Sequence, residues 1–186
     1  MTEYIDLETP LSDSDIEKLE AGDKVRISGI LYTARDAAHK RLVEMIKSGK
    51  GLPSDLKGQL LYYVGPAPAR PGQEIGSAGP TTSYRMDTYT PIFLKMGLKG
   101  TIGKGGRSEE VIEAMKEYKA VYLAAVGGAA ALIAKRIKRV RIIAFEDLGP
   151  EAIRELEVEN FPAIVVNDTK GNDLYKTGSD KYKVPS

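Results

Sequence analysis

The sequence predicts an α/β fold. Short stretches that alternate apolar and polar residues, as half-buried strands do, are separated by stretches whose apolar residues recur at helical spacing. The two kinds of stretch interleave along the chain, and a turn near the C-terminus indicates an added antiparallel hairpin. The 186 residues contain no internal repeat and no dividing linker. We therefore expect a single domain over residues 1–186.

Local signals set the predicted elements in chain order. Ser12 or Ser14 caps a first helix, and the alternation of residues 24–32 indicates the first strand. Ser108 caps a later helix with acidic residues in its first turn. The other predicted elements are helices at 36–46, 88–96 and 128–137, strands at 59–64, 100–103, 120–126 and 140–145, and a helical turn at 151–156.

Two segments are predicted to lie outside this pattern. Residues 65–80 form a long loop rich in Gly, Pro and Ala, and such loops inside compact domains are usually functional or disordered. Near the C-terminus, residues 163–166 and 173–175 flank a turn and are predicted to pair as a hairpin. The tail after Lys176 has little to bury, so we expect it to fray.

Composition excludes several functional classes. The formal net charge is +1, so the overall charge does not indicate nucleic acid or a membrane surface as a partner. No apolar run approaches the roughly 20 residues that span a bilayer. The N-terminal residues are acidic and polar, unlike a secretory signal, and we expect a cytoplasmic protein.

The chain contains no cysteine and one histidine, His39. It therefore cannot form a disulfide, offer a cysteine nucleophile, or hold a thiolate zinc site or a cysteine-ligated cluster by itself. We assign no metal ligand to this chain. A metal that takes part in its chemistry would be held mostly by another chain.

Residues 33–41 place a cation at the start of a helix. Arg35 would lie at the positive end of the helix dipole, where a cation is mildly disfavoured but could bind an anion together with the helix N–H groups. A solvated surface arginine is the alternative. His39 lies one turn later and is predicted to support the helix by hydrogen bonding rather than to bind a ligand.

Two further segments combine hydroxyl, glycine and basic residues. In residues 79–87, Thr81, Thr82 and Ser83 precede Arg85, a combination that could hold a carboxylate, although a helix cap beside a surface arginine is the alternative. Residues 100–108 form a glycine-rich turn with Lys104. That turn matches neither the P-loop spacing nor the dinucleotide fingerprint.

A basic run at residues 135–141 has a simpler interpretation. It lacks interleaved aromatic residues and includes the predicted end of a helix, where basic side chains are favoured. We interpret the run as a solvated basic face, not as a nucleic-acid site.

Residues 34–41 (ARDAAHKR), 79–87 (GPTTSYRMD) and 102–106 (IGKGG) together resemble the class I fumarate hydratases and the related tartrate dehydratases. They occur in the order found in the C-terminal domain, or separate β subunit, of those enzymes. The resemblance continues through residues 145–153 (FEDLGPEAI) and 159–163 (ENFPA), and so covers nearly the whole chain.

The resemblance implies a three-layer swivelling β/β/α domain with mixed sheets. It also implies a [4Fe–4S] cluster bound by cysteines of an α subunit, with the active site between the two subunits. The stoichiometry of the complex stays open, with a family-like α2β2 assembly as one arrangement. The implied reaction is the reversible hydration of fumarate to (S)-malate, in which the cluster acts as a Lewis acid. This chain would be one subunit, inactive alone.

The resemblance also assigns roles to individual residues. Arg35, Arg85 and Lys104 would bind the substrate carboxylates and stabilise the aci-carboxylate that forms when a proton leaves C3. Thr81 would act at that proton, and Thr82 would bind carboxylate.

Three alternatives stay open at this point. The chain could be an L-tartrate dehydratase β subunit, although Asp87 and residues 145–153 look more like fumarase. It could be a non-catalytic swivelling or interaction domain, although its cationic and hydroxyl positions are intact. It could also be a stand-alone enzyme that binds an anion or a phosphate.

Overall fold

The computed structural model describes residues 4–125 and 130–181. The strands of these residues form one mixed sheet, in which β1 to β5 pair in parallel and β6 and β7 pair antiparallel. The strands are β1 (Ile5–Glu8), β2 (Lys24–Thr33), β3 (Leu60–Tyr62), β4 (Gly100–Gly103), β5 (Val121–Ala125), β6 (Ile137–Ala144) and β7 (Ile153–Asn167).

Most of the helices begin where the sequence offers a cap or a proline. Ser12 forms a capping box with Asp15, Ser108 accepts a hydrogen bond from the backbone of Val111, and Pro91 lies in the first turn of its helix. The helices are α1 (Asp13–Glu17), α2 (Asp36–Lys47), α3 (Thr90–Lys95), α4 (Glu109–Tyr118), α5 (Ala130–Arg136) and α6 (Leu174–Lys181), with 3₁₀ helices at Ser83–Met86 and Glu146–Glu151.

Strand β7 closes the sheet on itself. One edge of β7 pairs with β2, as in Leu31 opposite Leu156, while its other edge pairs with β6 and then with β5, as in Leu123 opposite Val165. Because β2, β3, β4 and β5 are already neighbours, these pairings fold the sheet into two layers.

Two hydrophobic cores separate three layers. Along β3, Leu60 and Tyr62 face the core between the two sheet layers, while Leu61 faces the core beneath the helices α2, α3 and α4. This alternation is the period of two that a strand buried on both faces requires. The predicted α/β class with mixed strand pairing is therefore confirmed, and the layers follow the order β/β/α. In the part of the chain that the structure describes, no helix is long and apolar enough to cross a membrane.

The carboxyl ends of β2, β3 and β4 lie side by side. Thr33 pairs with Tyr62, and Tyr62 pairs with Ile102, each within a residue or two of the end of its strand. The loops that follow these strands therefore leave the sheet at one edge, where open α/β sheets bind their ligands.

The prediction of a helical turn at 151–156 is wrong, because this stretch begins the long strand β7. Leu156 and Val158 are buried, while Glu157 and Glu159 between and beyond them are exposed. That alternation has the period of a strand. Its apolar positions face the inner core, and tertiary packing outweighs the helix propensity of the glutamates.

The predicted C-terminal hairpin is also wrong in its second half. The turn exists, since the Asp168 carboxylate accepts hydrogen bonds from the backbone of Lys170 and Asn172. Beyond a single bridge between Asn167 and Asp173, however, the chain enters α6, which continues to Lys181 instead of fraying after Lys176. The antiparallel pairing comes from β6 and β7.

Other boundaries differ less. Strand β1 was not predicted, and the helix predicted at 88–96 is preceded by the 3₁₀ helix Ser83–Met86 and begins at Thr90. The predicted strand at 140–145 begins earlier, at Ile137. The junction predicted between the strand at 120–126 and the helix at 128–137 lies partly outside the described residues.

Candidate active site

The segment that contains Thr81 lies between the ends of β3 and β4. The Thr81 N–H donates to the carbonyl of Tyr63 at 2.7 Å, and the Lys104 N–H donates to the carbonyl of Thr81 at 3.3 Å. The Ser83 N–H in turn donates to the carbonyl of Lys104 at 2.9 Å. Two of the predicted site segments, 79–87 and 102–106, are thus joined backbone to backbone.

The side chains of these segments are left available to a ligand. Thr81 and Thr82 are half-buried, and Lys104 is exposed. Within residues 4–125 and 130–181, neither threonine hydroxyl has a hydrogen-bond partner, and the Lys104 ammonium has neither a hydrogen bond nor an ion pair. The backbone therefore fixes the segment while its polar side-chain atoms stay unused.

Arg35 and Arg85 converge on one carboxylate. The Arg85 Nε donates to Asp36 Oδ1 at 3.0 Å, and the Arg35 Nη2 lies 3.8 Å from Asp36 Oδ2. Asp36 is the first residue of α2, and Arg35 occupies the N-cap position without using its side chain as a cap. The start of α2 thus brings residues 33–41 into contact with residues 79–87.

The Arg35 guanidinium is held by close packing and by a second acid. Its Nε lies 3.5 Å from Glu151 Oε1, outside hydrogen-bond geometry, and this nitrogen is buried without a hydrogen-bond partner among the described residues. Gly65 makes room for the group, since a Cβ at Gly65 would lie 2.7 Å from Arg35 Nη1. Asp36 Oδ2 is likewise buried without a hydrogen bond.

His39 supports Arg35 from inside the fold. Its Nδ1 lies 2.7 Å from the Arg35 carbonyl, and because a carbonyl only accepts, Nδ1 carries the proton. The ring is fully buried among Tyr63, Tyr89 and Phe93. Burial lowers the pKa of His39 to about 4, so the imidazole is neutral at pH 7. This geometry is the supporting role that the sequence predicts.

Glycines shape the turn after β4. A Cβ at Gly103 would lie 1.9 Å from Ser83 Oγ, so only glycine permits the 79–87 segment to approach β4. Gly105 has a φ of +79°, a left-handed conformation that favours glycine. The glycine-rich turn thus serves to bring two chain segments together.

Sequence reasoning missed the counter-ions. Asp36 begins the predicted helix at 36–46 and Glu151 begins the predicted helical turn at 151–156, yet these acids pair with the two arginines. It also missed that Asp87 and Arg107 form a buried ion pair, with Nε to Oδ1 at 2.7 Å. No local sequence signal indicates this pair, because the two residues are 20 positions apart and their burial depends on the tertiary fold.

The chain's own residues do not fit an iron–sulfur cluster. It has no cysteine, and its one histidine is buried with Nδ1 committed to a carbonyl. No group of three acidic or histidine side chains arranged to hold a metal is found in the part of the chain that the structure describes. A cluster that served this site would need its ligands from elsewhere.

The long loop at 65–80 is folded against the domain instead of covering the site. Ile75 and Ala78 are buried in the inner core, and the Tyr62 hydroxyl donates to the carbonyl of Ala78 at 2.5 Å. Between this loop and α5 lies a cleft of about 460 Å³ that none of the predicted site residues lines. The predicted site residues therefore lie outside that cleft.

Comparison with known proteins identifies the family. The model of the family described as Fumarase C-terminus matches residues 1–178. The chain belongs to that family.

Individual relatives divide into two architectures. A putative L(+)-tartrate dehydratase subunit beta of Methanocaldococcus jannaschii is 43% identical over 92% of this chain and 91% of its own length. Fumarate hydratase 2 of Leishmania major is 42% identical over 92% of this chain but 31% of its own length. The anaerobic class I fumarate hydratase of Escherichia coli is 37% identical, over 92% and 32% respectively. The chain thus spans about a third of the fumarate hydratases it matches and nearly all of the β subunit.

Proposed function

We propose that this chain is the β subunit of a hydro-lyase that reversibly hydrates fumarate to (S)-malate. The observation that carries the proposal is that Arg35, Thr81, Arg85 and Lys104 are brought to one sheet edge, where the Thr81 hydroxyl and the Lys104 ammonium have no partner among the described residues. The fumarate hydratases among the relatives support the substrate.

A dicarboxylate needs several fixed cations, and the candidate site supplies them. Arg85 uses Nε for Asp36, so its two terminal nitrogens can grip a carboxylate in the bidentate manner of a guanidinium. Lys104 adds a point charge. When a proton leaves C3 of malate, negative charge spreads onto the neighbouring carboxylate, and cations already in place stabilise it without reorganising.

Thr81 is proposed to act at the C3 proton. A neutral hydroxyl is a weak base, and the described residues give Thr81 Oγ1 no basic partner, so its activation must come from outside the described residues. Thr82 is proposed to bind carboxylate beside it. This requirement agrees with a site completed by a second subunit.

We propose an α subunit as that second part, with the [4Fe–4S] cluster bound by its cysteines. Two observations support the proposal: this chain has no cysteine to bind a cluster, and one relative that it matches is named as a subunit beta. The cytoplasmic location stays a prediction.

L-tartrate dehydration is the second candidate, favoured by the near-complete overlap with the archaeal β subunit. Asp87, which favoured fumarate in the sequence, is paired with Arg107 and not aimed at the candidate site, so it does not itself select the substrate. Residue Glu151 of the 145–153 stretch does reach Arg35.

The deciding experiment assays the full chain alone and after anaerobic mixing with a candidate cysteine-containing α subunit that carries its cluster. Fumarate hydration and L-tartrate dehydration are measured side by side. We expect fumarate turnover only in the mixture. Turnover by the lone chain would contradict the shared site, faster tartrate turnover would select the second candidate, and inactivity with both substrates would favour a non-catalytic domain.

A further inference from the structure

Arg107 is a fully buried cation that lies beneath the candidate site. Its side chain is 0% exposed, and its Nε pairs with Asp87 Oδ1 at 2.7 Å. Burying a charge is costly unless it is paired and fully hydrogen-bonded, so the fold must hold this residue in a specific arrangement. That arrangement connects the same chain segments that carry the proposed site residues.

The terminal nitrogens of Arg107 bind hydroxyls of two further elements. Nη2 donates to Thr90 Oγ1 at 2.6 Å, and Nη1 donates to Thr101 Oγ1 at 2.9 Å. The guanidinium also lies over the rings of Tyr63 and Tyr122, at 5.3 and 5.1 Å from their centroids. One planar group thereby touches β4, β5, α3 and the residue that follows β3.

Asp87 extends the connection to the turn after β4. Its Oδ2 accepts a hydrogen bond from the Ser108 N–H at 2.6 Å, while Oδ1 forms the ion pair with Arg107 Nε outside hydrogen-bond geometry. Asp87 immediately follows the 3₁₀ helix that contains Arg85. The carboxylate therefore ties the end of the 81–87 segment to the end of the 104–108 turn.

Tyr122 provides a second tie on the other side of Arg107. Its hydroxyl donates to the Gly105 carbonyl at 2.8 Å, so the hydrogen bond at 2.9 Å to Ser83 is donated by Ser83 Oγ. Ser83 follows the proposed catalytic and substrate-binding threonines, and Gly105 follows Lys104. Tyr122 and Asp87, which both contact Arg107, thus hold residues 83 and 87 of one segment and residues 105 and 108 of the other.

We propose that Arg107 is a positioning residue that holds Thr81, Arg85 and Lys104 in register with one another; the inference rests on the proposed function. Lysine could not replace it, because a single ammonium cannot reach Asp87, Thr90 and Thr101 together. A displacement of the reacting groups by about 1 Å can cost about 10²-fold in rate. The residue touches no substrate and acts through the segments it joins.

Lys99 offers a matched control at the opposite end of β4. It is also a largely buried cation with an acid partner, since Nζ lies 2.6 Å from Asp13 Oδ1 and the side chain is 12% exposed. It donates to the carbonyls of Tyr118 and Lys119. A purely structural role predicts similar behaviour for both cations, whereas positioning predicts an effect of Arg107 alone on the site.

The test compares Arg107→Lys and Asp87→Asn with Lys99→Met in the full chain. Amide hydrogen exchange is followed at Ser83 and Lys104, whose N–H groups join the two segments, and at Val121, whose N–H donates to Lys99. We expect exchange at Ser83 and Lys104 to accelerate at least about 10-fold more in the first two variants than in Lys99→Met, which should instead affect Val121. Equal exchange at Ser83 and Lys104 in all three variants would overturn the proposal.

The kinetic arm uses the assembled two-subunit enzyme. We expect kcat to fall by about 10- to 100-fold in Arg107→Lys, more than KM rises, while Lys99→Met keeps both near their native values. An unchanged kcat would overturn the proposal.

If exchange responds as expected but the native complex turns over neither fumarate nor tartrate, the proposed function fails while the positioning of the two segments stands. Should Arg107→Lys not fold, Asp87→Asn carries both arms.

Discussion

Two regions of the molecule carry several basic side chains: the sheet edge where β2, β3 and β4 end, and the face formed by β6 and β7. The two regions differ in how these cations are paired with acids. On the β6–β7 face each cation of β6 has its own acid on β7. The pairs are Lys138 with Glu159 at 3.4 Å, Arg139 with Glu157 at 3.7 Å, and Arg141 with Glu155 at 3.1 Å.

At the sheet edge the pairing is incomplete. Arg35 and Arg85 share Asp36, Arg35 also lies 3.5 Å from Glu151, and Lys104 has no acid among the described residues, so three cations have two acids. Cross-strand pairs at an exposed surface neutralise one another and contribute little. A cluster with fewer anions than cations and with unused donors keeps an attraction for a carboxylate. The pairing of the cations, and not their number, therefore distinguishes a binding site from a solvated face.

The largest effect is expected from Thr81→Val in the assembled enzyme. Turnover should fall by at least about 10²-fold if the hydroxyl acts at the C3 proton. The fold should not change, since Thr81 is held through its backbone N–H and carbonyl. Steady-state kinetics with malate and fumarate would measure the loss. Thr81→Ser, which keeps the hydroxyl, is the control, and near-native kcat in Thr81→Val would remove the residue from the chemistry.

Arg85→Met tests the comparison directly against Arg141→Met. Loss of charge-assisted hydrogen bonds to a carboxylate, each contributing about 1.5–3 kcal/mol, should lower kcat/KM by about 10- to 100-fold at Arg85. Arg141, paired across the strands, should change kcat/KM by less than about 2-fold. Equal effects of the two substitutions on kcat/KM would show that the sheet edge is no more a site than the β6–β7 face.

The sequence predicts the parallel part of the fold better than the antiparallel part. The helix caps at Ser12 and Ser108 and the alternation of residues 24–32 are local signals, and the structure confirms each of them. Of strand β7, only residues 163–166 are predicted from the sequence, because its first part is defined by pairing with β6 and with β2, which is distant in sequence. Helix α6 was missed because Asp173, interpreted as part of a strand, accepts hydrogen bonds from the backbone of Tyr175 and Lys176 at the helix start.

The site shows the same division. The segments that carry Arg35, Thr81 and Lys104 could be selected because each combines residue types that folding alone does not require. That the strand ends align these segments depends on the sheet topology, which the local sequence pattern does not specify. The ion pair of Asp87 with Arg107 could not be predicted, since burial of a charge is a tertiary property.

A smaller effect concerns stability beneath the site. In the unfolded chain histidine has a pKa near 6.5. In the folded protein, burial and the nearby charge of Arg107 lower the pKa of His39 to about 4. The Arg35 carbonyl and Asp36 oppose this shift but do not cancel it. Below pH 6.5 the unfolded state therefore binds a proton that the folded state does not. The free energy of unfolding should fall by about 2 kcal/mol between about pH 7.5 and about pH 5.

Urea unfolding at several pH values would measure this loss, and His39→Gln, which cannot titrate, is the control. Because His39 is the only histidine in the chain, the difference between the two pH profiles isolates its contribution. Parallel profiles would mean that the ring is protonated in the folded state or exposed. The β6–β7 face contains no histidine, so the same pH range should leave its ion pairs unchanged.

The smallest effect is expected on that face. Arg141→Met should lower the free energy of unfolding by less than about 1 kcal/mol, because the arginine is exposed and its pair with Glu155 is screened. Urea unfolding with and without about 1 M salt would check this, since the Debye length of about 3 Å at that ionic strength should remove most of the difference between variant and native chain. A large loss of unfolding free energy that salt did not reduce would mean that Arg141 stabilises the face by packing its stem on β7. Arg141→Lys, which keeps the charge on a different head group, would then separate packing from pairing.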